Sequence, residues 1–134
     1  MCGYDTAYAG DRGVETDDAV LAIADNEGRT IVTRDQTLAN RANESLLLEG
    51  LDLEDMLAEL ANTGIHLAPA DPPTRCGRCN GPLSPESHPI DRPDYAPSDP
   101  RTPCWVCDRC HRVFWKGSHW DDVVTRLASI EEVA

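Results

Sequence analysis

The sequence predicts an α/β unit on a parallel sheet, followed by a small cysteine-stapled ribbon. Three observations carry this reading. Helical and β-branched apolar runs alternate through the first half. A proline-rich break, Ala68-Pro69-Ala70-Asp71-Pro72-Pro73, separates the halves, since each proline removes a donor and restricts the residue before it. Two Cys-x-x-Cys pairs fall after the break. At 134 residues the chain is one ordinary domain or two small ones. Its 40% hydrophobic and 27% charged content excludes wholesale disorder. The expected division is an α/β domain over 1–68, a linker over 69–74 and a ribbon with a C-terminal helix over 75–134.

Taken in order, Met1-Cys2-Gly3-Tyr4 reads as the last turn of a helix with a glycine cap, and Tyr4–Tyr8 as a possible strand. Thr16 is placed to cap a helix from Asp17 to about Asn26, with Val20, Leu21, Ile23 and Ala24 on one side and Gly28 as its stop. Thr30-Ile31-Val32-Thr33 is a short β-branched strand ending at Asp35. A second helix is expected from about Gln36 to Asn43, a strand at Leu46-Leu47-Leu48, and a third helix marked by Leu53, Met56, Leu57 and Leu60 and capped by Asp52. Short connections between such elements imply parallel strands with helices packed on them. Pro85 to Pro103 is expected as a long loop.

Charge narrows the setting. Twenty-four acids oppose twelve bases, for a net charge of −12, and Lys116 is the only lysine among those bases. Such a surface stays hydrated and self-repelling in concentrated salt, which reads as adaptation to a salt-rich interior; a genome rich in G and C also favours Arg over Lys. The imbalance is local: residues 1–73 hold 15 acids against 4 bases, whereas residues 74–134 hold 9 against 8. No apolar run approaches the ~18 residues of a membrane helix, and no basic-then-apolar leader opens the chain. A cytoplasmic protein with no membrane partner is expected.

Cys76-Gly77-Arg78-Cys79 and Cys107-Asp108-Arg109-Cys110 are separated by 27 residues. Outside an oxidising compartment such pairs are metal ligands more often than disulfides, and each forms a tight knuckle that aims two sulfurs at one tetrahedral ion. Asn80-Gly81 and His111 supply turn positions, and Pro82-Leu83 and Arg112-Val113-Phe114-Trp115 supply strands. The pattern is that of a zinc ribbon with Cys76, Cys79, Cys107 and Cys110 as ligands. Four protein ligands leave no open position, so Zn²⁺ is structural on this reading. Cys104 offers a competing pair with Cys107, but the turn and strand follow Cys110; His111 and His119 are alternative ligands that four thiols make unnecessary.

A second set of residues is acidic. Asp17 and Asp18 open a helix and Asp35 ends a strand, on the rim where parallel α/β folds bind ligands. Carboxylates that converge there need a hard cation, and Mg²⁺ or Mn²⁺ suits oxygen ligands and phosphate substrates. Arg34 and Arg41 flank the rim and are placed to steady a phosphate. The competing explanation is local: acids favour helix starts, and Asp35 suits an N-cap.

The run Gly3-Tyr4-Asp5-Thr6, then Asp17 ahead of Val20-Leu21-Ala22-Ile23-Ala24, then Gly28-Arg29 and Thr33-Arg34-Asp35-Gln36-Thr37-Leu38-Ala39, resembles the Mut-seven C-terminal RNase domain family. So does the stretch Arg75-Cys76-Gly77-Arg78-Cys79-Asn80-Gly81-Pro82-Leu83, followed by Trp105, Cys107, Cys110 and Arg112-Val113-Phe114-Trp115-Lys116-Gly117-Ser118-His119-Trp120. The resemblance covers nearly the whole chain. It implies a PIN-like parallel sheet with helices, then a zinc ribbon. Against the family pattern the fold is N-terminally truncated, since the first strand, with its catalytic Asp, and the first helix precede the Gly-Tyr-Asp string; a longer native protein is expected to carry them.

The resemblance further implies a ribonuclease that uses Mg²⁺ or Mn²⁺ on RNA, with single-stranded RNA the expected form. Asp17 matches the acid at the start of the second helix, with Asp18 as the adjacent alternative, and Asp35 matches the acid of the Thr-Arg-Asp motif. Arg34 lies within that motif. In the ribbon, Arg78, Arg109, Arg112 and Lys116 interleave with Trp105, Phe114 and Trp115, as phosphate contacts and stacking faces for RNA or as the ribbon's own core. The competing class is a non-catalytic RNA- or protein-binding zinc ribbon with a degenerate nuclease lobe. A Cys-x-x-Cys redox protein is the third and weakest.

Overall fold

The computed structural model describes residues 1–133, with side chains through Ile130. It is a mixed α/β protein that divides into two units. One comprises Ala7–Ile65; the other comprises Met1–Thr6 together with His66–Val133. The crossings therefore fall at Thr6/Ala7 and Ile65/His66, and the first six residues belong with the ribbon, not with the α/β unit expected over 1–68.

In the α/β unit, α1 (Asp17–Glu27) starts where the Thr16 hydroxyl accepts the Ala19 N–H at 3.2 Å, and it ends on Gly28 at φ 65°. β1 (Ile31–Thr33) leads into α2 (Gln36–Arg41), capped by Asp35, and then into β2 (Ser45–Leu47). The two strands are parallel, with Ile31 opposite Ser45 and Thr33 opposite Leu47. α3 (Leu53–Asn62) begins at Asp52, whose carboxylate accepts the Asp55 N–H at 2.8 Å. The Glu59 carboxylate of α3 reaches back to accept the N–H groups of Glu49 and Gly50, at 2.8 and 3.0 Å, and fixes the loop after β2. Ala24, Ile31 and Leu38 form the small core, with Val20, Leu21 and Ala42 packed against it.

Two expectations need correction. Tyr4–Tyr8 forms no strand, so the parallel sheet has two strands among the described residues. The reason lies in the ribbon: the Asn80 side chain takes up the segment's backbone, its Oδ1 accepting the Thr6 N–H at 2.7 Å and its Nδ2 donating to the Tyr4 carbonyl at 3.0 Å. Gly3 has the positive φ of a cap, 86°, but residues 1–8 contain no helix. Within 69–74, the Ala70 N–H donates to the Met1 carbonyl at 3.0 Å and the Thr74 carbonyl accepts the Leu83 N–H at 3.0 Å.

The ribbon unit holds an antiparallel sheet in the order β3 (Leu83–Pro85), β4 (Cys104–Cys107), β5 (Val113–Trp115), followed by α4 (Ser118–Val133). Trp120, Leu127 and Ile130 recur at helical spacing and are buried, as are Cys104, Cys107 and Val113. The long loop between β3 and β4 is ordered around one side chain. Arg92 binds the Glu86 carboxylate through Nε and Nη2 and donates to the carbonyls of Pro97, Asp99 and Thr102. Tyr95 of the same loop stacks on Trp115, and its hydroxyl accepts the Val113 N–H at 3.0 Å, covering an edge that β5 would otherwise leave open.

Candidate metal centre and acidic site

The two Cys-x-x-Cys segments fold alike. In the first, Asn80 N–H donates to the Cys76 carbonyl at 3.0 Å and Cys76 N–H to the Gly81 carbonyl at 2.8 Å. In the second, His111 N–H donates to the Cys107 carbonyl at 2.9 Å and Cys107 N–H to the Arg112 carbonyl at 3.0 Å. Each turn needs one left-handed residue, and Asn80 and His111 supply it, both at φ 64°; these residue types are among those that tolerate the conformation. The turns aim amides at sulfur. Arg78 N–H lies 3.3 Å from Cys76 Sγ, Gly81 N–H 3.4 Å from Cys79 Sγ, and the Arg109 and Cys110 amides 3.4 Å from Cys107 Sγ. Such donors favour thiolate over thiol.

The four sulfurs lie within 4.8 Å of one another. Cys76 and Cys110 are 3.7 Å apart and Cys79 and Cys107 3.5 Å apart. A tetrahedral S₄ zinc site with Zn–S of about 2.3 Å spaces its sulfurs about 3.8 Å apart, and a disulfide would need about 2.05 Å. The donor set thus fits a metal ion such as zinc. Burial works to raise Cys107, but the amides of Cys110 and Arg109 and the neighbouring thiols outweigh it and hold Cys107 down to about 7. The Arg112 amide favours the Cys110 thiolate, yet burial and the thiols of Cys79, Cys107 and Cys76 push it up to about 11. Cys104 is buried in β4 outside the cluster, and burial raises its thiol.

The acids sit in the α/β unit. Asp17 and Asp18 form the first turn of α1. Asp18 is ion-paired with Arg41, in the last turn of α2. That hydrogen bond, with Asp17 as a second nearby charge, raises the Arg41 pKa above its ordinary value. Asp17, Asp18 and Arg41 are therefore neighbours. Asp35 follows β1, and its Oδ1 accepts the Leu38 N–H at 3.2 Å as the N-cap of α2. Arg34 is exposed beside it. Among the described residues, no three carboxylates come within 4.8 Å of one another.

The family model described as the Mut7-C RNAse domain matches residues 1–127, a span that takes in all these acids and all four thiols. The chain belongs to the Mut7-C RNAse domain family. Comparison with curated proteins and with solved structures gives no match. Membership carries an RNA-related, nuclease-like role, with RNA as the general substrate class. Among the described residues, no helix is long and apolar enough to cross a membrane.

The basic and aromatic candidates of this Mut7-C RNAse domain divide by environment. Arg112 lies with its guanidinium 4.7 Å over the Tyr95 ring, and Tyr95 stacks on Trp115 at 6.2 Å. Lys116 pairs with Asp71 and lies 5.2 Å over the Trp120 ring. Phe114 meets Trp120 edge-on at 6.1 Å, so part of the aromatic set serves the ribbon's own core. Gly81 has a role that turn chemistry did not suggest. A Cβ there would come 2.8 Å from Cys107 Sγ and 3.2 Å from Cys79 Sγ, so the position faces the thiols and has no room for a side chain.

Proposed function

We propose that the chain is a metal-dependent ribonuclease of the PIN-like type, whose ribbon carries structural Zn²⁺ and helps to hold single-stranded RNA. The observation that carries the reading is the family match over residues 1–127. The acidic site supports it chemically. Asp35 stands at the carboxyl end of a parallel strand, where α/β folds bind ligands, and Arg34 and Arg41 offer positive charge near the acids. Mg²⁺ needs only one or two protein carboxylates, the remaining positions going to water and substrate phosphate; Asp17 and Asp35 are the pair assigned here, with Asp18 held by Arg41. An ion bound there would activate water for in-line attack and neutralise the leaving oxygen. Ligands kept as thiols belong to a reducing compartment, which supports a cytoplasmic location.

The test is cleavage of single-stranded RNA in Mg²⁺ or Mn²⁺ by the zinc-loaded chain and by Asp35→Asn. Asparagine keeps the N-cap of α2, so helix loss cannot mimic the result. Cleavage should fall at least about a hundredfold in the variant, with zinc content unchanged. Equal rates for the two proteins would refute the assignment of Asp35. One observation favours a binding-only reading: Asp18 and Asp35 already have partners within the fold. That reading expects RNA retention with no cleavage by either protein.

A further inference from the structure

A groove of about 700 Å³ opens within the ribbon unit, inside the range of about 300–1,000 Å³ typical of small-ligand sites. Its wall includes Arg78 of the first knuckle, Arg112, Phe114 and Trp115 along β5, and Ser118 and His119 at the start of α4. Among the described residues, none that lines it is acidic, although acids outnumber bases two to one in the chain. Its charged lining side chains, Arg78 and Arg112, are cationic in a chain whose net charge is −12.

We propose that this groove binds one nucleotide of single-stranded RNA. Arg78 and Arg112 take the phosphate, helped by the amides of the first turn of α4, where the helix dipole is positive. Phe114 and Trp115 line the groove, each half-buried with one ring contact already made within the unit, and the ring surface left to the groove meets the base, a contact that tolerates any sequence. Inorganic phosphate or an acidic peptide would use the cationic half of this wall and leave the aromatic half idle, and duplex RNA keeps its bases stacked away from it. Arg112 is ordered in advance, lying over Tyr95, which itself stacks on Trp115, so less side-chain freedom is lost when ligand arrives. Lys116 is outside the groove, engaged with Asp71 and Trp120.

The proposal rests on the ribonuclease reading for its ligand but not for any cleavage step. It is tested by fluorescence anisotropy of a labelled single-stranded RNA with the zinc-loaded full chain, without added Mg²⁺ or Mn²⁺. The double variant Arg78→Ala/Arg112→Ala should bind about tenfold or more weakly and lower the salt slope by about 0.7, the amount for one phosphate of a single strand. Trp115→Leu should weaken binding about tenfold. Arg101→Ala, which removes an exposed arginine elsewhere in the unit, should bind as the unaltered chain does. Zinc content monitors folding of each variant. Amide shifts in the unaltered protein give a readout that needs no variant, with RNA expected to move Arg78, Arg112, Ser118 and His119. Undiminished affinity in the double variant, shifts confined to other residues, or tighter binding of duplex RNA or a phosphopeptide would overturn the groove assignment. RNA binding in the groove without cleavage by the unaltered chain would defeat the ribonuclease reading and leave the groove standing.

Discussion

Gly81 shows how little freedom the metal centre leaves its surroundings. A methyl group there would meet Cys107 Sγ and Arg109 Cβ, both at 2.8 Å, and sulfurs held by an ion cannot give way as a flexible chain would. Gly81→Ala should therefore weaken zinc retention in a chelator competition and destabilise the ribbon by about 1–3 kcal/mol, the usual cost of overpacking. A second prediction concerns Glu27. Hydrogen bonds from Arg12, then Arg29, lower its pKa from the ordinary 4.5 to about 2. A group whose folded pKa lies below its unfolded one stabilises the fold above the unfolded value, and that contribution disappears as pH falls through the folded value. Glu27→Gln should therefore lower Tm above about pH 4.5, and the two proteins should converge as pH approaches 2. A constant Tm difference across that range would contradict the linkage.

The elements differ in how openly the sequence announces them. Thr16, Asp35 and Asp52 each cap the helix that spacing predicts, and Gly28 stops α1, because caps and stops depend on a few neighbouring residues. The two knuckles are local in the same sense; Asn80 and His111 adopt the left-handed turn their types suggest. Contacts made at a distance are hidden. Nothing near Tyr4 signals that its carbonyl meets Asn80, and nothing near Arg92 signals that one guanidinium gathers Glu86 and three carbonyls. At the acidic site the sequence places Arg41 on the rim with Asp17 and Asp18 but does not show which acid it pairs with, Asp18 across 23 residues. α2 makes the point testable. Asp35→Ala removes the cap as well as the carboxylate and should cost about 1 kcal/mol of stability, whereas Asp35→Asn should cost little. Thermal melts of the two variants separate the structural role of Asp35 from its proposed chemical one.

At the scale of the molecule, stability is expected to hinge on the metal. The ribbon buries few side chains, among them Cys104, Cys107, Val113, Trp120, Leu127 and Ile130, and structural zinc is worth an apparent ~10–16 kcal/mol in small domains. Chelation should abolish the helical signal of α4 in far-UV circular dichroism, and restored zinc should recover it; a spectrum unchanged after verified metal loss would contradict this. The net charge of −12 adds a salt dependence, with Tm expected to rise as potassium chloride screens the acids. The order of the chain carries a further consequence. It leaves the ribbon at Thr6 and re-enters at His66, and the Tyr4 hydroxyl donates to the His66 carbonyl at 2.8 Å. Residues 7–65 are thus spliced into a host whose flanking segments are tied together by the Tyr4 side chain. A brief connector from Thr6 to His66 could close that host, and the excised ribbon would be a natural scaffold for grafting other inserts at the same seam.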